Sequence, residues 1–175
     1  MVEILILFSI FNKELTMYGI QKNIFDYFCA YSKPSFGALK PALKRLESAG
    51  FIISRRTISD GGRQSGFYSI TKEGKKELKR LLLLDMTENT VQFFSLARVK
   101  LSCLSVLDEN EISTFLSNLK IMSLKHKYEA ENVLNNEYLS LTFYQRVVLD
   151  STVCEYNNFV DLIEHLEKEH ASNSK

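Results

Sequence analysis

The sequence predicts a mainly α protein: an N-terminal winged helix-turn-helix with a two-stranded β wing, followed by a C-terminal long-helix dimerisation domain. Three observations predict this fold class. The 175 residues include only two prolines and seven glycines, and the long stretches without either favour helices. One glycine-tipped hairpin pattern stands between helical patterns in the first half. The second half carries long amphipathic helical patterns whose apolar faces need a covering surface.

Helical patterns and a cap signal place two helices at the start of the chain. Residues 2–12 are apolar almost all round, which predicts a buried first helix. Thr16 is a suitable N-cap for a second helix of about residues 17–30, in which apolar residues recur every three or four positions.

A third helix follows a break at residues 32–35, with Ser35 placed to cap it. Gly50 is well placed as the C′ residue that ends it. Pro41 removes one backbone donor inside this helix, so we expect a slight bend there. The predicted buried stripe consists of Leu39, Ala42, Leu43 and Leu46.

The pattern then changes from helix to hairpin and back to helix. Residues 51–58 and 66–70 are typical of strands, and residues 60–62 (Asp-Gly-Gly) are typical of the turn between them. Thr71 is placed to cap a fourth helix. Three helices, a hairpin and a helix in this order predict a winged helix-turn-helix, which we assign to residues 1–84.

Residues 85–175 are predicted to form the helical C-terminal dimerisation domain. One helix is expected within residues 89–107, and Asp108 and Glu111 have the spacing of a capping box for a helix that continues to about residue 135. Another is expected from about residue 142 to 170. Each of these last two helices would be roughly 40 Å long. Two such helices cannot bury their apolar faces alone, so we expect them to pair with a second subunit.

Positive charge is concentrated in one block, residues 33–80. This block holds twelve Lys/Arg against four Asp/Glu, a formal charge of +8, whereas the whole chain is at +1. A basic helix beside a basic hairpin is a suitable shape for the grooves and phosphates of double-stranded DNA. The alternative is a winged-helix protein-interaction module whose basic face docks an acidic partner.

Several segments resemble the PadR family of bacterial transcriptional regulators. The resemblance covers most of residues 5–80, and the matching segments are Tyr18-Gly19-Ile20, the helix and strand start at 35–52, Gly61-Gly62-Arg63 and residues 67–74. Residues 143–149 look like the larger C-terminal domain of the phenolic-acid repressor and virulence-activator branch. One departure is Lys40, where most members carry a tyrosine before the proline.

The resemblance implies a homodimer, joined through its C-terminal helices, that binds an inverted repeat in promoter DNA. Repression is the commoner mode in the family, whereas a transcriptional activator without a small-molecule effector is the alternative. The resemblance leaves any small-molecule effector, and the residues that would bind it, unidentified.

On a helical wheel of the third helix, one side faces away from the buried stripe and is available to a major groove. We expect DNA contacts there, from the wing, and from the start of the second helix. The predicted DNA-binding residues are Tyr18, Ser35, Gly37, Lys40, Lys44, Arg45, Arg56, Arg63 and Gln64.

Several of these residues also have a structural interpretation. The lysines of the third helix can be a solvated face, Ser35 can be only a helix cap, and Tyr18 can be a packing residue. Arg55 and Arg56 point to opposite faces of the strand, so only one of them is expected to face DNA.

The sequence indicates no catalytic site, no metal site and no cofactor. No nucleophile elbow, P-loop or dinucleotide glycine motif is present, and His165 and His170 are five residues apart rather than on one helix face. The three separated cysteines are typical of a reducing compartment. The apolar start of the chain is too short for a membrane span and a poor signal peptide, so we expect a cytoplasmic protein without membrane contact.

Aromatic residues recur at helical spacing in the second half, which fits either an effector pocket or a core and dimer interface. The favoured interpretation is core and interface. The residues are Phe93, Phe94, Phe115, Tyr128, Phe143, Tyr144, Tyr156 and Phe159.

Overall fold

The computed structural model describes residues 1–58 and 64–173, apart from the side chains at positions 57, 58, 64, 65 and 173. A 3-10 turn at Leu104–Val106 lies between the fifth and sixth α-helices. The elements in chain order are α1 (Val2–Ser9), β1 (Leu15–Thr16), α2 (Met17–Phe28), α3 (Phe36–Ser48), β2 (Ile52–Ile58), β3 (Gln64–Ile70), α4 (Lys72–Leu83), α5 (Thr90–Ser102), α6 (Glu109–Leu134) and α7 (Phe143–Asn173).

The predicted fold class is confirmed: helices predominate, and helix–helix–helix–hairpin–helix is the order of a winged helix-turn-helix. The predicted caps are confirmed as well. The hydroxyls of Thr16, Ser35 and Thr71 accept hydrogen bonds from the amide nitrogen three residues later, at 3.1, 3.3 and 2.9 Å. Asp108 and Glu111 form the reciprocal capping box that begins α6.

Two predicted helices end earlier than their apolar patterns suggested. Helix α1 stops at Ser9 rather than at residue 12, because the chain leaves helical geometry at Ile10. Helix α5 stops at Ser102, and the last part of the predicted segment forms the 3-10 turn. Apolar side chains continue to be buried beyond both ends, which is why periodicity alone placed the ends too late.

The wing belongs to a three-stranded antiparallel sheet with the order β1-β3-β2. Strands β2 and β3 pair from Ile52↔Ile70 to Ile58↔Gln64, which makes the predicted two-stranded wing. Strand β1 pairs with β3 at Leu15↔Tyr68. The sequence did not predict β1 because two residues are too few for an alternating pattern.

Contacts divide the chain into two compact units, Met1–Val106 and Leu107–Lys175. The first unit therefore extends past residue 84, the predicted domain boundary, and it includes α5. Within this unit α1 packs against α2, α3, α4 and α5. Helix α1 is the centre of the core because its residues 4–7 are almost fully buried.

The second unit consists mainly of the antiparallel neighbours α6 and α7, which pack along each other. Their 26 and 31 residues correspond to about 40 and 46 Å of helix. Lys120 joins them by ion pairs to Glu164 at 2.9 Å and Glu167 at 3.1 Å. The shared core of the two helices includes Phe115, Leu119, Tyr156, Phe159 and Ile163.

Candidate nucleic-acid interface

Helix α3 is held firmly at both ends. At its start Ser35 is in extended geometry and caps the first turn, as predicted. At its end Gly50 has a φ of +74°, in the left-handed region that favours glycine. The amide of Gly50 donates to the carbonyl of Glu47, and that of Phe51 donates to the carbonyl of Leu46, which is a Schellman motif. The helix passes unbroken through Pro41.

The inner side of α3 is the predicted stripe, and all four of its residues are buried. On the outer side Gly37, Lys40, Pro41 and Lys44 are exposed. Neither Lys40 nor Lys44 forms an ion pair with a residue that the structure describes. Two exposed cations on a fixed helix, neither paired with a described carboxylate, are available to an external anion such as a phosphate.

Arg45 is the one predicted α3 contact that has an internal partner. Its guanidinium donates to the Glu3 carboxylate at the start of α1 and forms an ion pair with it. Burial would raise the pKa of Glu3, but the hydrogen bond from Arg45 and the nearby positive charges hold that pKa below its ordinary value. Arg45 therefore links α3 to α1, and its predicted DNA contact would compete with that link.

Tyr18 lies in the first turn of α2 with 69% of its surface exposed. It lines an open groove of about 460 Å³ between α2 and the segment that leads into α3. Ser35 and Lys33 line the same groove, and the Lys33 ammonium lies 5.9 Å from the centre of the Phe25 ring. The structure thus brings Tyr18 and Ser35 together, and the exposure of Tyr18 does not fit a packing role.

Lys33 is a residue that sequence reasoning passed over at this groove. It lies in the basic block, but its position before Pro34 appeared to be only a helix break. Its neighbour Lys22 is less available, because it forms an ion pair with Asp26 at 2.7 Å. The signal available in the sequence was a lysine two residues before the predicted cap Ser35.

The two arginines of β2 have different surroundings. Arg55 donates to Glu14 at 3.1 Å and lies 5.9 Å from the centre of the Phe67 ring. Glu14 also accepts from Ser69 at 2.6 Å, and these hydrogen bonds lower the pKa of Glu14. Arg56 is exposed, lies opposite Gly66 and has no partner among the described residues.

Arg56 lies on the face of the sheet that looks towards α3. Ser54 shares that face by the two-residue period of a strand, and its hydroxyl donates to Glu47 of α3. Tyr68 pairs with Ser54, and its pKa is raised by burial and by the charge of Glu47. Of the two wing arginines, Arg56 is therefore the one on the side of the sheet that faces α3.

The remaining predicted contacts are Arg63 and Gln64. Arg63 lies outside the described residues. Gln64 begins β3, where it pairs with Ile58, and its side chain is not described.

The sequence of residues 6–80 matches the model of the Transcriptional regulator PadR-like family. Through these residues, fewer than half of the 175, the chain is similar to the PadR-like family. The match spans the helix-turn-helix, the wing and most of α4. It confirms the family resemblance, whereas the assignment of the second half to a particular branch stays a prediction. A search of curated proteins finds no significant match.

Three solved structures illustrate what the chain is similar to. Bacillus subtilis PadR in complex with operator DNA is 21% identical, covering 97% of this chain and 98% of that one, with a TM-score of 0.47. The same protein with p-coumaric acid is 19% identical, covering 97% and 98%, with a TM-score of 0.44. A Clostridium thermocellum transcriptional regulator is 29% identical over 45% of this chain and 76% of that one, with a TM-score of 0.42. Because these TM-scores are below 0.5, the likeness to the family depends on residues 6–80.

The PadR-like segment also carries a glycine that its packing requires. A Cβ on Gly74, in the first turn of α4, would lie 1.9 Å from the carbonyl oxygen of Phe51 and 2.8 Å from a side-chain carbon of Ile70. Thr71 donates its backbone amide to the same carbonyl at 3.0 Å. This close approach fixes the start of α4 against the base of the wing, next to the end of α3.

Other candidate sites receive less support. Within the described ranges, no group of three or more His, Cys, Asp or Glu side chains is arranged to hold a metal ion. None of the helices in the described part of the chain is long and apolar enough to cross a bilayer. His170 lies 3.0 Å from the carbonyl oxygen of Glu109, and the ring of His126 lies against Tyr156.

The aromatic residues of the second half separate into core and surface. Four are buried, in agreement with the favoured core interpretation: Phe93, Phe115, Tyr156 and Phe159. Three others are more than 60% exposed on α6 and α7: Tyr128, Phe143 and Tyr144. Phe94 is half-buried and packs edge-on against Phe93.

Proposed function

We propose that this chain is a sequence-specific DNA-binding transcriptional regulator that acts as a homodimer on inverted-repeat promoter sites. Of the two modes of regulation, we propose repression. The observation that carries the proposal is the pair Lys40 and Lys44, exposed on a helix whose ends are fixed. Each winged domain would place α3 in the major groove of one half-site, with Arg56 of the wing beside it. Such a regulator needs no catalytic group or cofactor, and it would act in the cytoplasm, where a bacterial promoter lies.

The charge distribution supports DNA as the partner. The +8 block lies wholly in the PadR-like segment and its neighbour α4, whereas the remaining residues sum to −7. Phosphate contacts by such a block release counterions, which gives binding that weakens linearly with the logarithm of salt concentration. Lys40 and Lys44 would contact guanine edges or phosphates, and Tyr18 and Ser35 the backbone.

Dimerisation through the C-terminal helices is supported by the surface of α6 and α7. Large apolar side chains stay exposed along both helices, and an isolated soluble protein rarely exposes so many close together. A second copy with the same surface would cover them by an isologous contact, as in a twofold dimer. The exposed set is Ile121, Leu124, Tyr128, Val133, Phe143, Tyr144, Val147, Val148 and Leu162.

Modulation by a small molecule is the finer part of the proposal. An effector changes DNA affinity only if it binds one arrangement of the dimer more tightly than another. An activator without an effector is the alternative, and both need the same DNA-binding face. Comparing transcription from the bound promoter with and without the protein separates repression from activation.

Selection of duplexes from a random pool, followed by a salt titration, tests the proposed function. The full-length protein should enrich an inverted repeat, and its affinity should fall linearly in log salt while the preference for that repeat is kept. Footprinting upstream of the protein's own gene then locates a natural site.

The rival function is a protein-interaction module whose basic face docks an acidic partner. It predicts DNA binding without preference for any duplex, at every salt concentration. Such an outcome would contradict the proposed function. The fixed ends of α3 and the availability of Lys40 and Lys44 suit either partner, so the site preference is the deciding measurement.

A further inference from the structure

The exposed side chains of α3 offer a restricted set of base contacts. Among the cations of α3, Lys40 and Lys44 have no internal partner in the described structure, whereas Arg45 is held by Glu3. The one carboxylate of α3, Glu47, accepts from Ser54. The helix contains no Asn or Gln, the side chains that bind adenine by two hydrogen bonds. For the cations of α3 that have no internal partner, hydrogen-bonded base recognition is therefore that of lysine, which is mainly contact with guanine.

A large apolar side chain occupies the position where a recognition helix approaches bases most closely. Phe36 is the first residue of α3 and is 41% exposed. The next two residues, Gly37 and Ala38, are exposed and short. In a helix-turn-helix the N-terminal residues of the recognition helix contact base edges. The aromatic ring thus stands beside two residues that permit a close approach.

The 5-methyl group of thymine gives an A·T base pair an apolar group on its major-groove edge, and a G·C pair has no such methyl. The thymine methyl is contacted in protein–DNA complexes by apolar side chains, phenylalanine among them. We infer that Phe36 recognises a thymine 5-methyl group in each half-site, and that this contact is a determinant of the sequence that the chain prefers. The inference rests on the proposed function, because it needs α3 in a major groove.

The neighbouring surface of α3 agrees with this assignment. Pro41 and Gly37 lie on the outer side of the helix and add no hydrogen-bond donor there. An apolar contact beside Lys40 and Lys44 would make the preferred half-site a combination of guanine and thymine positions. Adenine would be specified only through the thymine to which it is paired.

Phe36 also has a structural interpretation, in which its covered part stabilises the start of α3. The two roles differ in what they predict for DNA. A purely structural phenylalanine would, when replaced, weaken binding to thymine and to uracil duplexes by the same factor. If Phe36 contacts the methyl group, replacing Phe36 would weaken binding to the thymine duplex but not to the uracil duplex, which lacks that methyl group.

The experiment uses the full-length protein and a duplex selected from a random pool. Each thymine of the half-site is replaced in turn by deoxyuridine, which removes only the methyl group. At one position in each half-site, affinity should fall roughly fourfold, the effect of burying about one methylene, and roughly fifteenfold when both half-sites are changed. The other replacements should leave affinity within about twofold.

Phe36→Ala completes the test, with Tyr27→Ala as the matched control. Tyr27 is an exposed aromatic residue of α2 in the same unit, 70% exposed, and it does not line the groove of Tyr18 and Ser35. In the Phe36→Ala protein the uracil penalty should disappear, whereas the Tyr27→Ala protein should keep it. The deoxyuridine series on the unaltered protein needs no variant to fold.

Three outcomes would overturn the inference, and they are distinguishable. Tight, selective binding that is indifferent to every deoxyuridine would reject the methyl contact and leave the proposed function standing. If replacing thymine by deoxyuridine weakens binding equally in the natural protein and in Phe36→Ala, another residue contacts the methyl group. Failure to prefer any duplex would reject the proposed function, and the methyl contact with it.

Discussion

The two compact units differ in how many of their apolar side chains are buried. In the described part of the chain, the unit up to Val106 has 21 buried hydrophobic residues and nine large exposed ones, whereas the unit from Leu107 has seven buried and eleven exposed. The first unit closes a core around α1 and presents charge on α3. The second is an elongated pair of helices with uncovered apolar faces. The difference teaches that the first unit buries most of its apolar residues within itself, whereas the second leaves most of them on its surface, where the proposed dimer would cover them.

The largest expected effect is on the closed unit. Replacing Gly74 by Ala forces a methyl group against the Phe51 carbonyl and should lower the free energy of unfolding by about 3 kcal/mol. Gly66→Ala is the matched control, because a Cβ there meets nothing within 4 Å, and its effect should stay below about 1 kcal/mol. Urea denaturation measures both. Equal stabilities would contradict the close packing at the base of the wing.

The second unit is tested by placing a charge on the exposed apolar surface of α7. Val148→Asp should weaken the homodimer by about 100-fold or more, because the twofold contact buries the new carboxylate twice. Asn157→Asp is the control, since Asn157 is exposed on the opposite side of α7 and adds the same charge. Sedimentation equilibrium measures dissociation. If both variants dimerise like the natural protein, this face is not the dimer interface.

The charged face of the first unit is tested at Lys44. Lys44→Glu should weaken binding to the selected duplex by roughly 30-fold, because it replaces an attraction to DNA by a repulsion. The fold should be unaffected, since Lys44 is exposed and unpaired within the described structure. Lys76→Glu on α4 is the control with the same charge change and should cost less than about threefold. Comparable losses for the two would show only diffuse attraction.

The interior of the first unit contains one lysine, which makes its stability depend on pH. Burial lowers the pKa of Lys100 to about 8, although Asp85 raises it, and the ammonium donates to the carbonyl of Leu84 at the end of α4. Because the unfolded chain keeps its proton up to about pH 10.5, this lysine makes stability rise between about pH 8 and 10.5.

Lys100→Met should remove that rise, which is at most about 1.4 kcal/mol per pH unit. Urea denaturation at pH 7.5, 8.5 and 9.5 provides the measurement, with Lys76→Met as an exposed control. A slope that survives in Lys100→Met would have to come from another group.

The smallest effect separates the two wing arginines. Arg56→Ala should reduce the slope of log affinity against log salt by about one, as expected for the loss of one phosphate contact. Arg55→Ala should leave the slope unchanged, because Arg55 is paired with Glu14. Salt titrations of both variants decide this point. Equal slopes for the two variants would contradict the prediction that Arg56 contacts a phosphate and that Arg55, paired with Glu14, does not.

Most of the fold was predictable because its signals are local. The caps Thr16, Ser35 and Thr71 act on amides three residues away, and Gly50 ends α3 through bonds to the preceding turn. Strand β1 was not predictable, because two residues carry no period and gain their pairing from β3, more than fifty residues later.

The candidate site was predictable only in outline. The sequence alone determined a helix and wing with an excess of positive charge, because composition and periodicity are properties of the chain itself. Only the tertiary structure decided which cations are available. Arg45 is paired with Glu3 and Arg55 with Glu14, which lie 42 and 41 residues away in the sequence. Lys40, Lys44 and Arg56 are available because none of them is paired with a described carboxylate. A local sequence pattern cannot predict pairs between residues so far apart, because only the folded chain brings them together.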